Sequence, residues 1–216
     1  MADEHDHAHD HSEHDHAHDH SAHEHDHDHD HDDADQPTEA DLERERQYVR
    51  RYALSQIRQY PDPALRMRAR EVTEFDEFLM QLAERMFSLM GDAQGVGLAA
   101  TQVGTLQRVF VFELEDQGPQ AVVNPVLSNF SEEKATDEEG CLSLEEIRVP
   151  VERSTKVTLD GVNPAGEPVH LELEGLSARV VQHEIDHLDG VLIIDRTDAE
   201  HRKQALGELR PQTVLR

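Results

Sequence analysis

Between residues 75 and 90, Phe75, Phe78, Leu79, Leu82, Met86, Leu89 and Met90 recur at helical spacing, which predicts an α-helix with one apolar face. Thr73 is placed to cap this helix and Gly91 to stop it. Upstream, Thr38 to Asp41 has the form of a capping box opening a charged helix that runs to about Arg51. The stretch "QYPDPALR" (59–66) carries Pro61 and Pro63 and reads as an extended turn. Beyond the apolar helix, "GVGLAATQVG" (95–104) is a glycine-punctuated loop, and "RVFVFEL" (108–114) and "AVVNPVL" (121–127) are strands. Residues 148–175 alternate, turn at Asn163 to Gly166 and alternate again, as antiparallel strands do. Leu176, Val180, Val181, Ile185 and Leu188 then mark a helix, and a last helix spans about Asp198 to Leu209. The strands form a block between helices, so the fold class is α+β, with antiparallel strands and flanking N- and C-terminal helices.

The helix from Leu176 carries "QHEIDHLDG" (182–190). His183 and His187 lie one turn apart on one face, so both imidazoles can reach a single metal ion. Glu184 sits beside them, able to approach the ion's water without being a ligand, which is the arrangement of two ligands and a general base. A solvated helix face can match this five-residue pattern by chance. Here, however, the flanks are apolar at helical spacing, so the helix is packed and its buried histidines need partners. A catalytic site also needs a third protein ligand. Ile193 stands where the metzincin signature requires a histidine. Glu208 is at a conceivable distance for a thermolysin-like ligand but lies in "GELRPQ" near the terminus. Cys141, in "EEGCLSL" (138–144) at the edge of a predicted strand, would complete a sulfur and two-nitrogen set; a buried small hydrophobe is the ordinary role of a lone cysteine.

Charge changes the picture at the N-terminus. Residues 1–35 contain thirteen of the seventeen histidines, fourteen acidic residues and no Lys or Arg, so the net charge of −27 splits into −14 there and −13 in the rest. Glu4 to Ser12, "EHDHAHDHS", recurs at Glu13 to Ser21. Such alternation of His with Asp has nothing apolar to bury, so residues 1–36 are expected to be a disordered tail ahead of a folded domain over 37–216. No basic patch suggests a grip on phosphates, and direct DNA binding is not expected. One cysteine excludes an internal disulfide, and no stretch has signal-peptide or membrane-spanning character, so a reducing cytoplasm and no membrane are the expectation.

Three stretches taken together, "GVGLAATQ" (95–102), "EGCLSL" (139–144) and "QHEIDHLDG" (182–190), resemble in order and spacing the signature motifs of the bacterial peptide deformylases. "YPDPALR" and "GVLIIDR" resemble that family's usual flanks, and the likeness covers about residues 48–198. It departs where Glu145 and Ser154 stand in place of the prolines of many members. The tail has no counterpart in the common pattern.

The resemblance implies a catalytic domain that removes the formyl group from N-formylmethionyl nascent chains, releasing formate. Cys141, His183 and His187 would be the ligands of one ion per site. Glu184 would be the general base and acid. The Gln102 amide and the Leu142 backbone N–H would hold the oxyanion, one such donor being worth roughly 3 kcal/mol. Val96, Leu142 and Val180 are candidates for the methionine pocket; Gly95, Gly97 and Gly140 would let substrate backbone lie close, unless they serve only turns. A thiolate–imidazole site favours Zn²⁺ by affinity. The family's working ion implies Fe²⁺ in the cell, with Zn²⁺, Ni²⁺ or Co²⁺ as substitutes, and transient association with the ribosome. The rival readings are a zinc endopeptidase built on the same helix and a non-enzymatic metal buffer built on the tail.

Overall fold

Residues 36–114 and 118–209 are described in a computed structural model of the chain. The histidine-rich run and the disorder expected of it lie outside the described residues. Helix α1 (Glu39–Gln56) opens as its sequence predicts: Thr38 Oγ1 accepts from Asp41 N at 3.2 Å, and the Asp41 carboxylate accepts from Thr38 N at 3.1 Å. It continues past Arg51 because Ala53 and Leu54 are buried, and it ends at Ile57, ahead of Pro61 and Pro63.

Helix α2 (Glu77–Asp92) departs from expectation at both ends. Asp76, not Thr73, is the cap; its Oδ1 accepts from Leu79 N at 3.1 Å. Gly91 lies inside the last turn, and the chain leaves the helix through Gln94, whose φ is 59°. Leu79, Leu82, Met86, Leu89 and Met90 face the core, whereas Phe75 precedes the helix and Phe78 is exposed. Phe78 is one residue from Leu79, and one residue is a rotation of about 100° away from the buried face.

The strands β1 (Gly97–Ala99), β2 (Val109–Leu114), β3 (Gly118–Ser128), β6 (Lys156–Val162) and β7 (Pro168–Glu174) form an antiparallel sheet in the order β1-β2-β3-β6-β7. A separate antiparallel pair consists of β4 (Lys134–Cys141) and β5 (Leu144–Ser154). The run 148–175 is therefore not one hairpin. Its first part belongs to β5 in the small sheet, the chain crosses over at Thr155, and only β6 and β7 pair across the Asn163 turn. Asn163 Oδ1 accepts from Ala165 N and Glu167 N there, both at 2.9 Å.

Alternation along β2 supplies both faces of the larger sheet. Val109 and Val111 pack with Leu54, Leu79 and Met86 of the first two helices. Phe110 and Phe112 point the other way, onto Val181 and Leu188 of α3 (Gly175–Leu188). The small sheet has its own apolar cluster, Leu144, Val149 and Val151, with Ile193 and Ile194 of α4 (Ile193–Arg196) and Ala205 of α5 (Ala199–Glu208). Helix α3 packs on the larger sheet and also meets β5 of the smaller one. That position explains why it buries polar side chains, Arg179, Gln182, Glu184, Asp186 and His187, alongside its apolar ones. Among the described residues no helix is long and apolar enough to cross a membrane.

Candidate metal centre

Cys141 ends β4, where the register with β5 slips and the chain turns through Leu142 and Ser143. This hairpin end meets the middle of α3. Cys141 Sγ lies 3.2 Å from His187 Nε2, and His187 Nε2 lies 3.2 Å from His183 Nε2. The three donor atoms are all within 4.8 Å of one another. Ser143 N also points at the sulfur, at 3.4 Å. Neither alternative position supplies a third ligand among the described residues. Ile193 is buried in the small-sheet cluster, and the Glu208 carboxylate accepts from Gln204 Nε2 on its own helix.

The protonation pattern suits a metal. His183 Nδ1 lies 3.1 Å from Glu139 Oε2. Burial opposes ionisation of Glu139, but hydrogen bonds from His183 and Arg153 outweigh it and hold that carboxyl well below the usual range. An ionised carboxylate only accepts, so His183 donates from Nδ1. Burial opposes a charge on His183, but hydrogen bonds with Cys141 and Glu139 outweigh it and hold its pKa well above the usual value, so Nε2 offers its lone pair when an ion displaces its proton. Burial likewise pushes the His187 imidazole well below its usual pKa and keeps it neutral. A divalent cation can take the place of the His183 proton, and S/N/N is a donor set that divalent transition metals accept. The residues present fit such an ion.

Glu184 follows His183 on α3 and is buried beside the cleft. Its Oε2 has no hydrogen-bond partner among the described residues, and burial pushes its carboxyl up to about 7. The other oxygen packs against Gly97: a Cβ there would collide with Oε1 and stand 2.9 Å from Cδ. Gly95 has a similar reason, since a Cβ would lie 2.8 Å from Leu142 Cδ1. Both glycines thus make room for the protein's own side chains. Gly140 has only ordinary contact with Arg148, at 3.7 Å.

Gln102 sits in a 3₁₀ turn, Ala100–Val103, directly after β1. Its Oε1 accepts from Ala99 N at 2.8 Å, which aims Nε2 at Ser143 Oγ, 3.1 Å away, with Cys141 Sγ at 3.7 Å. Val96, Gly97, Gln102, Gly140, Cys141, Leu142, Val180, His183 and Glu184 all line one cleft of about 580 Å³. Val180 is buried, Leu142 partly so, and Val96 is half exposed at the mouth. Three residues that sequence reasoning passed over also belong here: Glu139 behind His183, and Arg153 and Arg179 behind Glu139. A signal was present. Residues 139 and 141 are two apart on a strand, so Glu139 shares the face that carries Cys141.

The family model described as polypeptide deformylase matches residues 54–203. The chain belongs to the polypeptide deformylase family. "Peptide deformylase 1" of Corynebacterium glutamicum is 47% identical over 161 residues, covering 73% of this chain and 95% of the relative. Peptide deformylase of Thermotoga maritima is 51% identical over 146 residues, covering 68% and 88%. The crystal structure of the Thermotoga maritima peptide deformylase superposes with a TM-score of 0.64 at 52% identity, over 66% of this chain and 96% of that one. As a deformylase the chain is an enzyme that removes an N-formyl group. The mixed fold with antiparallel sheets is that of deformylase structures.

Proposed function

We propose that Cys141, His183 and His187 hold one divalent metal ion, and that Glu184 and Gln102 perform deformylation beside it. The observation that carries this reading is the convergence of the sulfur and two Nε2 atoms on one point, with a buried unpaired carboxyl and a fixed amide opening on the same cleft. The ion, when bound, acidifies water and polarises a carbonyl. Glu184 takes a proton from the water that attacks the formyl carbon. It returns that proton to the amide nitrogen as the C–N bond breaks, leaving formate and a free amine. Glu184 Oε2 has no other hydrogen-bond partner among the described residues, which leaves the carboxyl free to accept that proton and return it.

Gln102 Nε2 and the Leu142 N–H donate to the formyl oxygen as it gains charge. Gln102 is prepared for this because its own carbonyl is already committed to Ala99 N. Val180 and Leu142 bury the methionine side chain, and Val96 covers the mouth. The substrates are N-formylmethionyl nascent chains, met in the cytoplasm through transient contact with the ribosome. Ferrous iron is the working ion, and Zn²⁺, Ni²⁺ or Co²⁺ can replace it. Residues 1–36 form a metal-binding tail outside the catalytic domain, 37–216, and take no part in the reaction.

Formate release from formyl-Met-Ala-Ser under anaerobic iron loading tests this function. Formate in equal amount to new amino groups is the expected result. Cleavage between Ala and Ser without formate would point to the endopeptidase instead.

A further inference from the structure

Helix α1 lies almost wholly ahead of the stretch that matches the family model, yet it supplies part of the cleft wall through Arg50 and Leu54. The two are one turn apart, so they share a face of the helix. Leu54 is buried, whereas the Arg50 side chain is 38% exposed. Arg50 Nη1 lies 3.5 Å from Oε1 of Glu145, whose side chain is 48% exposed and which lines the same cleft from β5. Exposure thus rises from Glu184 at 3% to this pair, which puts the pair at the outer end of the cleft.

The backbone carries Glu145 outward. Leu144 pairs with Cys141 and Arg148 with Gly140, so residues 145–147 bulge from β5 between two adjacent partner residues. Buried Ile147 anchors the bulge, and Glu146 turns it with a φ of 68°, a left-handed value uncommon for a residue with a side chain. Outside the buried centre, the charged lining of the cleft is Glu138, Glu145 and Glu146 against Arg50 and Arg148. The mouth is left with one negative charge in excess, on a domain that is itself acidic. A half-exposed pair such as Arg50 with Glu145 is weak, worth about 1.5–5-fold in an equilibrium, so a passing charge can break it.

We propose that Glu145 is a specificity-determining residue for the part of the substrate that follows methionine, favouring lysine or arginine there over acidic residues, and that Arg50 moderates the preference by competing for the same carboxylate. This rests on the deformylase reading of the cleft, in which the formyl group lies at the buried centre and the chain leaves past the mouth. A cationic side chain displaces Arg50 from Glu145 and also meets Glu138 and Glu146. An acidic one gains Arg50 only by breaking the same pair, and the remaining charge repels it.

The test compares kcat/KM for formate release from three amidated peptides, formyl-Met-Lys-Lys, formyl-Met-Gln-Gln and formyl-Met-Glu-Glu, with the full Ni²⁺-loaded chain at low and at high salt. Efficiency should fall in that order. Arg50→Gln should widen the Lys-to-Glu ratio by about 1.5–5-fold, and Glu145→Gln should narrow it by a similar factor. Both shifts should shrink at high salt. The acidic N-terminal segment is common to all three proteins, so it cancels when each variant is compared with wild type. Both variants break the same pair, so a merely structural role would move the ratio in one direction, whereas reading of charge moves it in opposite directions. Shifts in the same direction, shifts below about 1.5-fold, or a wild-type preference for the Glu peptide would overturn the proposal. No formate from any of the three peptides would instead overturn the functional reading beneath it.

Discussion

Replacing Glu184 by glutamine should remove activity and at the same time stabilise the metal-free protein. The side chains are nearly the same size, so the packing against Gly97 survives. The carboxyl is buried, its Oε2 lacks a partner, and its pKa rises from 4.5 to about 7. Below pH 4.5 the group is protonated whether the chain is folded or not, and it contributes nothing. Between 4.5 and 7 the unfolded chain releases the proton first, so folding weakens as pH rises. Above 7 the whole rise from 4.5 is felt, roughly 3 kcal/mol of destabilisation. Glutamine lacks this penalty. At pH 8 the chelator-treated variant should therefore melt above wild type by about 6–12 °C, at roughly 2–4 °C per kcal/mol for a domain of this size. At pH 4.5 the two should coincide. Turnover on formyl-Met peptides should fall by about 10²–10⁴-fold with metal content unchanged. A variant that keeps more than a tenth of wild-type turnover, or that melts no higher at pH 8 than at pH 4.5 relative to wild type, would refute the reasoning.

Three further outcomes follow from the site. Cys141→Ala should lose its metal on dialysis, since two imidazoles alone make a poor site; elemental analysis with residues 1–36 removed checks this, and an unchanged one-to-one ratio would sink the ligand assignment. Activity of the ferrous form should decay in air faster than that of the Ni²⁺ or Co²⁺ form, because both iron and thiolate oxidise; equal decay rates would contradict this. Deleting residues 1–36 should leave turnover unchanged with metal in excess. Calorimetric titration should then show about one tight ion, where the intact chain takes up several more at weaker sites. A large loss of turnover with the site metal still bound would show that the tail acts in catalysis.

The helices were legible because an apolar stripe decides where a helix lies, whereas their ends depend on local hydrogen bonds. Both Thr73 and Asp76 are competent caps by residue type, and the backbone turn at Asp76 selects between them. The extent of strand β4, beyond its edge at Cys141, was hidden for a different reason. "KATDEEGC" has no alternating apolar face, because the side chain it buries is the Glu139 carboxylate. Pairing with β5 stabilises that strand, and the guanidiniums beyond it make the buried charge tolerable. The crossover at Thr155 was hidden because two strands in different sheets follow one another with almost no gap. The histidine pair and its glutamate could be read directly, since helical geometry alone places them together. The union of Cys141 with that helix is tertiary. It requires the register slip at Gly140 and Cys141 that spacing along the chain does not reveal.

The central claim is that deformylation occurs at an ion bound by one thiolate and two imidazoles. X-ray absorption at the zinc edge, on residues 37–216 loaded with one equivalent of Zn²⁺ and shown to release formate, tests it most directly. The account predicts one sulfur near 2.3 Å and two imidazole nitrogens at about 2.0–2.1 Å, with the sulfur lost in Cys141→Ala. A formate-releasing sample whose zinc shows only nitrogen and oxygen neighbours would contradict it.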